Sequence, residues 1–170
     1  RMDFPAVGDW VKAMQVDEET AIILEILPRF SILQRQAIGQ HGESQIIATN
    51  IDGAFIVQSV GHDFNLNRLE RYLTICLGAG IQPYIILTKI DLADQEAVAL
   101  YLQKINDRVK DVPLLAVSNI THQGVDTLTT WLKPYHTYCF LGSSGVGKST
   151  LVNGLLGDSH LKTKEVSEAT

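Results

Sequence analysis

The stretch Gly142-Ser-Ser-Gly-Val-Gly-Lys-Ser149 constrains this chain more than any other part of it. It matches the phosphate-loop pattern G-x-x-x-x-G-K-[ST] at every fixed position. Residues 136–141 before it, which end in the apolar run 138–141, predict a short buried strand, and residues 149–156 predict the first turns of a helix. Strand, glycine-rich loop and helix are the context that this motif requires. The alternative interpretation is a Gly/Ser-rich turn that holds no ligand.

The residue types in this stretch suit the binding of phosphate groups. Gly142, Gly145 and Gly147 let the backbone curl so tightly that successive N–H groups converge on one anion. The helix that follows adds the positive end of its dipole. Lys148 supplies a full positive charge and the Ser149 hydroxyl is placed to ligate Mg²⁺, so these two are the predicted catalytic residues. The predicted phosphate-binding residues are Gly142, Ser143, Ser144, Gly145, Val146, Gly147, Lys148, Ser149 and Thr150.

The composition is that of an ordinary globular protein. Of 170 residues, 45% are hydrophobic and 19% are charged, and the net charge of −5 gives no support for nucleic-acid binding. Cys76 and Cys139 fall in apolar runs, which predicts core packing in a reducing compartment. The histidines lack metal-ligand spacing, so no zinc site is expected in this chain. No secretory signal or membrane span is visible, and we expect a cytoplasmic protein without membrane contact.

The hydrophobic pattern divides the chain into two predicted domains. Residues 1–45 hold short apolar runs between turn residues, which predicts a small or partial β-barrel. Over residues 46–170, apolar strands alternate with amphipathic helices, which predicts an α/β fold with a parallel sheet, helices on both faces and ligands at the carboxyl ends of the strands. The remaining expectations are N-terminal strands at 7–11, 12–16, 21–27 and 31–37, a linker at 39–44, and helix caps at Asp63, Asn65 and Asp94.

Polar residues follow two of the predicted strands. Thr88-Lys-Ile-Asp91 is placed to contact a base: the Asp91 carboxylate can accept hydrogen bonds from the ring N–H and the exocyclic amino group of guanine, a donor pair that adenine lacks. The Lys89 stem can lie along the base and ribose. Ser118-Asn119 follows the next strand, and its backbone N–H groups are placed to meet the guanine carbonyl. The alternatives are a helix-capping turn at 88–91 and a plain strand-to-helix turn at 118–119.

The order of these motifs is inverted relative to ordinary GTPases, in which the phosphate loop comes first. A GTPase also needs an Asp-x-x-Gly segment that orients Mg²⁺ and senses the γ-phosphate, and no Asp of this sequence has Gly three residues later. A circularly permuted GTPase domain whose Asp-x-x-Gly lies beyond Thr170 explains both facts. Because the sequence opens with Arg1 and stops without a terminating signal, we expect a piece of a longer protein.

In this motif order the chain resembles the ribosome small-subunit-dependent GTPase A family. The resemblance implies a partial oligonucleotide-binding (OB) type barrel at 1–45, a circularly permuted GTPase domain at 46–170, GTP or GDP with Mg²⁺ as ligands, and Zn²⁺ only in a C-terminal domain outside this sequence. It also implies a monomer that acts late in maturation of the small ribosomal subunit and contacts its rRNA. Further matches are Val7-Gly-Asp-Trp-Val11, Leu27-Pro-Arg29 with Arg35, Ile47-Ala-Thr-Asn-Ile-Asp52, and residues 67–73 and 164–167.

The chain departs from this family at two places. Thr88 stands where the family often has Asn, and Asn119 stands where many GTPases have Ala. Arg29 and Arg35 are candidate contacts to rRNA phosphates, with solvated surface charge as the alternative. Two other functions fit the motifs: an rRNA-binding module gated by nucleotide without turnover, and an ATPase or kinase that shares only the phosphate loop.

Overall fold

The N-terminal part of the chain forms two antiparallel strand pairs. The computed structural model describes residues 4–36 and 44–157. Strand β1 (Val11–Gln15) pairs with β2 (Ala21–Ile26), and β3 (Ile32–Gln36) pairs with β4 (Ser44–Thr49). The predicted strand at 7–11 is wrong, because this segment is a turn and an extended approach to β1.

A close backbone contact explains the error at 7–11. Gly8 has a φ of 94°, and a Cβ on it would lie 2.1 Å from the carbonyl oxygen of Thr49. The segment is therefore pressed against the end of β4 and does not form a ladder of its own. The predicted linker at 39–44 falls outside the described residues except for Ser44, which begins β4.

A four-stranded parallel sheet carries the rest of the chain. Its strands are β5 (Gly53–Ser59), β6 (Gln82–Thr88), β7 (Leu114–Ala116) and β8 (Tyr138–Leu141), in the order β7-β6-β5-β8. The helices are α1 (Leu66–Gly78), α2 (Gln95–Arg108), α3 (Val125–Trp131) and α4 (Lys148–Leu156), with a 3-10 turn at Ile90–Leu92. The predicted parallel α/β fold is confirmed.

Alternate side chains of β5 pack on opposite faces of the sheet, as a period of two requires. Ala54 and Ile56 join the core that α1 and α2 cover, whereas Phe55 joins the core that α3 and α4 cover. Cys76 is fully buried in the first core and Cys139 packs against it; both are free thiols. Burial raises the pKa of Cys76 to about 11 and that of Cys139 to about 12, so both behave as apolar packing residues.

Two of the three predicted helix caps are confirmed. Asn65 Oδ1 accepts a 2.9 Å hydrogen bond from the backbone N–H of Arg68 at the start of α1. Asp94 Oδ1 accepts a 2.7 Å bond from the N–H of Ala97 at the start of α2. Asp63 does not cap with its side chain; its backbone carbonyl accepts a bond from the Arg68 guanidinium.

A buried ion pair holds the N-terminal segments together. Arg29 donates to both carboxylate oxygens of Asp9, at 2.7 and 2.6 Å, and the two side chains are only 9% and 1% exposed. The Thr49 hydroxyl donates to the same carboxylate at 2.6 Å. We call Asp9, Arg29 and Thr49 the N-terminal clasp. Surface charge is therefore the wrong interpretation of Arg29, whereas Arg35 is exposed and donates to the side chain of Gln45.

The clasp adjoins the start of the parallel sheet. The Ser31 hydroxyl donates to the carbonyl of Ile51 at 2.8 Å and accepts from its N–H at 2.7 Å, just before β5 begins. The predicted domain boundary after residue 45 falls within β4, which pairs with β3. The division into two domains stays a prediction. No helix among the described residues is long and apolar enough to span a membrane.

Candidate nucleotide-binding site

The loops that follow β6, β7 and β8 meet at the carboxyl end of the parallel sheet. A Cβ placed on Gly147 would lie 3.3 Å from Asn119 Nδ2 and 4.0 Å from Thr88 Oγ1. The three segments that the sequence singled out for phosphate and base contacts are therefore neighbours in space. Parallel strands bring their carboxyl ends to one edge, which is where ligands bind in open α/β sheets.

The phosphate loop has the backbone that its glycines permit. Gly142, Gly145 and Gly147 have φ values of 157°, 83° and 92°. At Gly142 a Cβ would lie 2.5 Å from the carbonyl oxygen of Val57 in β5, so the loop leaves β8 in contact with the neighbouring strand. Gly147 forms the N-cap of α4, and the first N–H groups of a helix have no partner within it, so they suit an anion at this end.

The Lys148 ammonium lies over the loop. Its Nζ donates to the carbonyl oxygens of Gly142 and Ser143, at 3.0 and 2.5 Å. An ammonium has three N–H donors, so one remains for an anion. Partial burial lowers the pKa of Lys148. Of the other loop residues, Val146 is fully buried, and Ser144 and Thr150 are exposed.

Thr88 joins the loop to the sheet. Its buried hydroxyl lies 2.6 Å from the carbonyl oxygen of Val146 and 3.1 Å from that of Gln58. A hydroxyl has one hydrogen, and the shorter distance assigns it to Val146. The residue predicted to touch the base edge therefore also positions the phosphate loop.

Asp91 is oriented by Ser118. The Ser118 hydroxyl donates to Asp91 Oδ1 at 2.5 Å and accepts from the backbone N–H groups of Ile120 and Thr121. Asp91 itself is exposed, and no described residue donates a hydrogen bond to its second oxygen, Oδ2. The cap of α2 is Asp94, and the helix-capping interpretation of Asp91 is therefore wrong.

Lys89 and Asn119 flank this pair. Lys89 has a left-handed backbone, with a φ of 59°, which turns the chain sharply between β6 and Asp91. The backbone N–H of Asn119 makes no hydrogen bond within the described part of the chain. It is free to meet an acceptor on a ligand.

Sequence reasoning missed two side chains at this site. For Ser118, the sequence predicted a role only for the backbone N–H, whereas in the structure its side-chain hydroxyl holds Asp91. Gln58 is 1% exposed; its Oε1 accepts from the N–H of Asn65, and its Nε2 has no partner among the described residues. The available signal in the sequence was one amide directly after a run of apolar residues, near the end of a strand that leads to the site.

The hydroxyl oxygen of Ser149 at the start of α4 is a suitable ligand for Mg²⁺. The described residues contain no group of three His, Cys, Asp or Glu side chains that could hold a metal ion. Mg²⁺ is commonly held by one or two protein oxygens together with substrate phosphates and waters. The Ser149 hydroxyl, half-buried in the first turn of α4, is an oxygen ligand of this kind.

The parallel sheet, the glycine loop and the carboxylate beside it define a P-loop α/β protein in which the loops that carry Asp91 and Ser118 precede the phosphate loop along the chain. The chain belongs to the RsgA GTPase family, whose model matches residues 26–170. The predicted family resemblance is confirmed.

Individual relatives agree with this assignment. The chain is 46% identical over 163 residues to the small ribosomal subunit biogenesis GTPase RsgA of Methanosarcina acetivorans, covering 95% of this chain and 44% of that protein. It is 47% identical to the corresponding RsgA 2 of Lactiplantibacillus plantarum, covering 96% and 46%. The chain thus spans less than half the length of these curated relatives.

Two solved structures share the fold. YjeQ from Thermotoga maritima superimposes with a TM-score of 0.71 at 22% identity, covering 95% of this chain and 54% of that one. YloQ, described as a circularly permuted GTPase, gives a TM-score of 0.63 at 28% identity, covering 88% and 50%. The parallel-sheet core is therefore that of the circularly permuted GTPases.

Proposed function

We propose that this chain binds GTP and GDP and forms the nucleotide-binding part of a GTPase that acts in maturation of the small ribosomal subunit. The observation that carries the proposal is the pairing of Ser118 with Asp91 beside the phosphate loop. A carboxylate fixed there is complementary to guanine and not to adenine. The names of the relatives, small ribosomal subunit biogenesis GTPases, support the wider role.

In the proposed complex, each part of the site acts on one part of the nucleotide. The N–H groups of the loop and the start of α4 bind the phosphates, and the third N–H of Lys148 adds a charge-assisted bond. Asp91 accepts from the ring N–H and amino group of guanine, and the Asn119 N–H donates to the carbonyl. Mg²⁺, held by Ser149 and the phosphates, would neutralise charge that develops during hydrolysis. The sequence has no Asp-x-x-Gly. We assign orientation of the attacking water to parts of the longer protein.

The proposal extends to the N-terminal strands and to partners. We propose that residues 1–45 belong to an OB-type barrel, because apolar side chains on β1 and β2 lie exposed and need a covering layer: Met14, Ile22 and Leu24 are 51%, 50% and 55% exposed. Such a barrel would contact rRNA of the small subunit in the cytoplasm, with the protein acting as a monomer. Within the clasp, Arg29 is committed to Asp9, so Arg35 is the better candidate for a phosphate contact.

The test of base and phosphate recognition is a titration of the purified chain with GTP, ATP and xanthosine triphosphate. We expect GTP to bind more tightly than ATP, and Lys148→Ala to weaken all three by on the order of 1.5–3 kcal/mol, the free energy of a charge-assisted hydrogen bond. Asp91→Asn converts one acceptor into a donor, so it should weaken GTP and strengthen xanthosine triphosphate, which carries a carbonyl in place of the amino group.

The outcomes separate the alternatives. Equal affinity for ATP and GTP would favour an ATPase or kinase. An unchanged ratio of GTP to xanthosine triphosphate in Asp91→Asn would end the guanine assignment. For the longer protein, GTP turnover with and without small subunits decides between a GTPase and a binding module, because only the GTPase should be stimulated.

A further inference from the structure

The side chain of Asn119 lies against the phosphate loop and makes no hydrogen bond to the described part of the chain. Its Nδ2 is the nearest atom that a Cβ on Gly147 would meet, at 3.3 Å. None of the described residues is a hydrogen-bond partner of this amide. A side-chain amide carries two N–H donors. Leaving these donors without hydrogen bonds in a half-buried position costs free energy unless a ligand or solvent accepts from them.

The neighbouring donors at this place are already used. The Thr88 hydroxyl is the other atom that a Cβ on Gly147 would approach, and its hydrogen goes to the carbonyl of Val146. The Lys148 ammonium is turned onto the carbonyls of Gly142 and Ser143. Of the two polar side chains that border Gly147, only Asn119 therefore keeps free donors for a ligand.

This inference rests on the proposed guanine site. In that site, the order of polar atoms around the base determines which of them lies near the Asn119 amide. Asp91 would hold the ring N–H and the amino group. Going round the base from the ring N–H, the next polar atom is the O6 carbonyl, and the one after it is N7. Residue 119 follows Ser118, which touches Asp91, and we therefore place its N–H and side chain next along the same edge of the base. Both O6 and N7 are acceptors and require donors.

We propose that the side-chain amide of Asn119 donates a hydrogen bond to N7 of the bound guanine, so that this residue reads the base together with Asp91. The backbone N–H of Asn119 meets O6, and Nδ2, next to Gly147, meets N7. Purines that lack an acceptor at this position, such as 7-deazaguanine or 7-methylguanine, are bound less well. Asn119 is thus a specificity-determining residue through its side chain as well as its backbone.

The test compares GTP with 7-deaza-GTP, in which N7 is replaced by a C–H group and the rest of the base is kept. The wild-type chain should bind 7-deaza-GTP about 3- to 10-fold more weakly, as expected for one net hydrogen bond. Asn119→Ala should bind GTP more weakly by a similar factor and bind the two nucleotides equally. Asn119→Asp, which puts an acceptor opposite N7, should prefer 7-deaza-GTP.

Each result bears on one of two hypotheses. Equal binding of both nucleotides by the wild type, or the same preference for GTP in Asn119→Ala, overturns the role of the side chain while leaving the guanine site intact. Failure of the wild type to prefer GTP over ATP overturns the guanine site and this inference with it. The wild-type comparison needs no variant, so equal binding of GTP and 7-deaza-GTP still overturns the inference if Asn119→Ala does not fold, and Asn119→Asp then supplies the test of the side chain.

Discussion

The hydroxyl of Thr88 lies 2.6 Å from the carbonyl oxygen of Val146, which joins the end of β6 to the middle of the phosphate loop. Both residues are fully buried. This hydrogen bond therefore links the two halves of the proposed nucleotide site, one for the base and one for the phosphates. Its loss affects both halves.

Thr88→Val tests this link. Valine has nearly the same shape as threonine but lacks the hydroxyl group. The buried carbonyl of Val146 therefore loses its hydrogen-bond donor. We expect the free energy of unfolding to fall by about 1–3 kcal/mol and GTP affinity to fall as well. Urea denaturation and nucleotide titration measure the two effects. Thr88→Ser keeps the hydroxyl and is the matched control; equal behaviour of the two variants would contradict the role of the bond.

Ser118→Ala should relax base selection. Without the hydroxyl, Asp91 loses the donor that fixes Oδ1. We expect the ratio of GTP to ATP affinity to drop by on the order of tenfold, with a smaller change in ATP affinity alone. Thr127→Ala, which removes an exposed hydroxyl from α3, is the control and should leave the ratio unchanged. A uniform loss of both affinities in Ser118→Ala would indicate a structural role only.

Gly142→Ala should prevent the loop from closing on β5. The new Cβ would lie 2.5 Å from the backbone carbonyl of Val57, at a φ that side chains rarely adopt. Because backbone must shift, we expect a loss of more than about 1 kcal/mol in stability, together with loss of GTP binding. In Gly154→Ala, within α4, a Cβ meets nothing within 4 Å, so this variant should gain about 0.5–1 kcal/mol. Thermal unfolding of both variants checks the contrast.

The N-terminal clasp predicts acid sensitivity. Hydrogen bonds from Arg29, and further ones from Thr49 and Ala6, hold the pKa of Asp9 well below its ordinary value of 3.8. A carboxyl with a lowered pKa stabilises the folded state above its unfolded pKa, and the contribution is lost as pH falls below about 3.8. Asp9→Asn should therefore lower the unfolding temperature at neutral pH and flatten its decline in acid.

A second ion pair supplies the control for the clasp. Glu70 and Arg108 are 40% and 49% exposed, and pairs of this kind contribute little to stability. Glu70→Gln should leave the unfolding temperature at neutral pH nearly unchanged. Equal effects of Glu70→Gln and Asp9→Asn in thermal scans from pH 2 to pH 7 would contradict the importance of the clasp.

The parallel sheet and the phosphate loop could be predicted from the sequence because both depend on local patterns of residues. A short apolar run, followed by a glycine-rich segment from Gly142 to Lys148, is compatible with few structures other than a strand and a phosphate loop. The clasp could not be predicted in the same way, since Asp9 and Thr49 are forty residues apart and their contact follows from packing. The roles of the Ser118 hydroxyl and of Gln58, whose Nε2 has no partner among the described residues, could not be predicted for the same reason. Residue type shows that a group can make a hydrogen bond, and only the fold shows to which atom.

The strand order has a consequence for synthesis. β5, β6 and β7 pair in the order in which they are made, whereas β8 pairs with β5, joining Gly53 to Tyr138. Contacts between residues so far apart form slowly and late, because a long loop must close first. As the chain leaves the ribosome, the segments that carry Asp91 and Ser118 are therefore made before the phosphate loop has been translated. Under the proposed function, nucleotide can bind only once nearly all of the described fold exists, so it can stabilise that fold but cannot assist the earlier steps of folding.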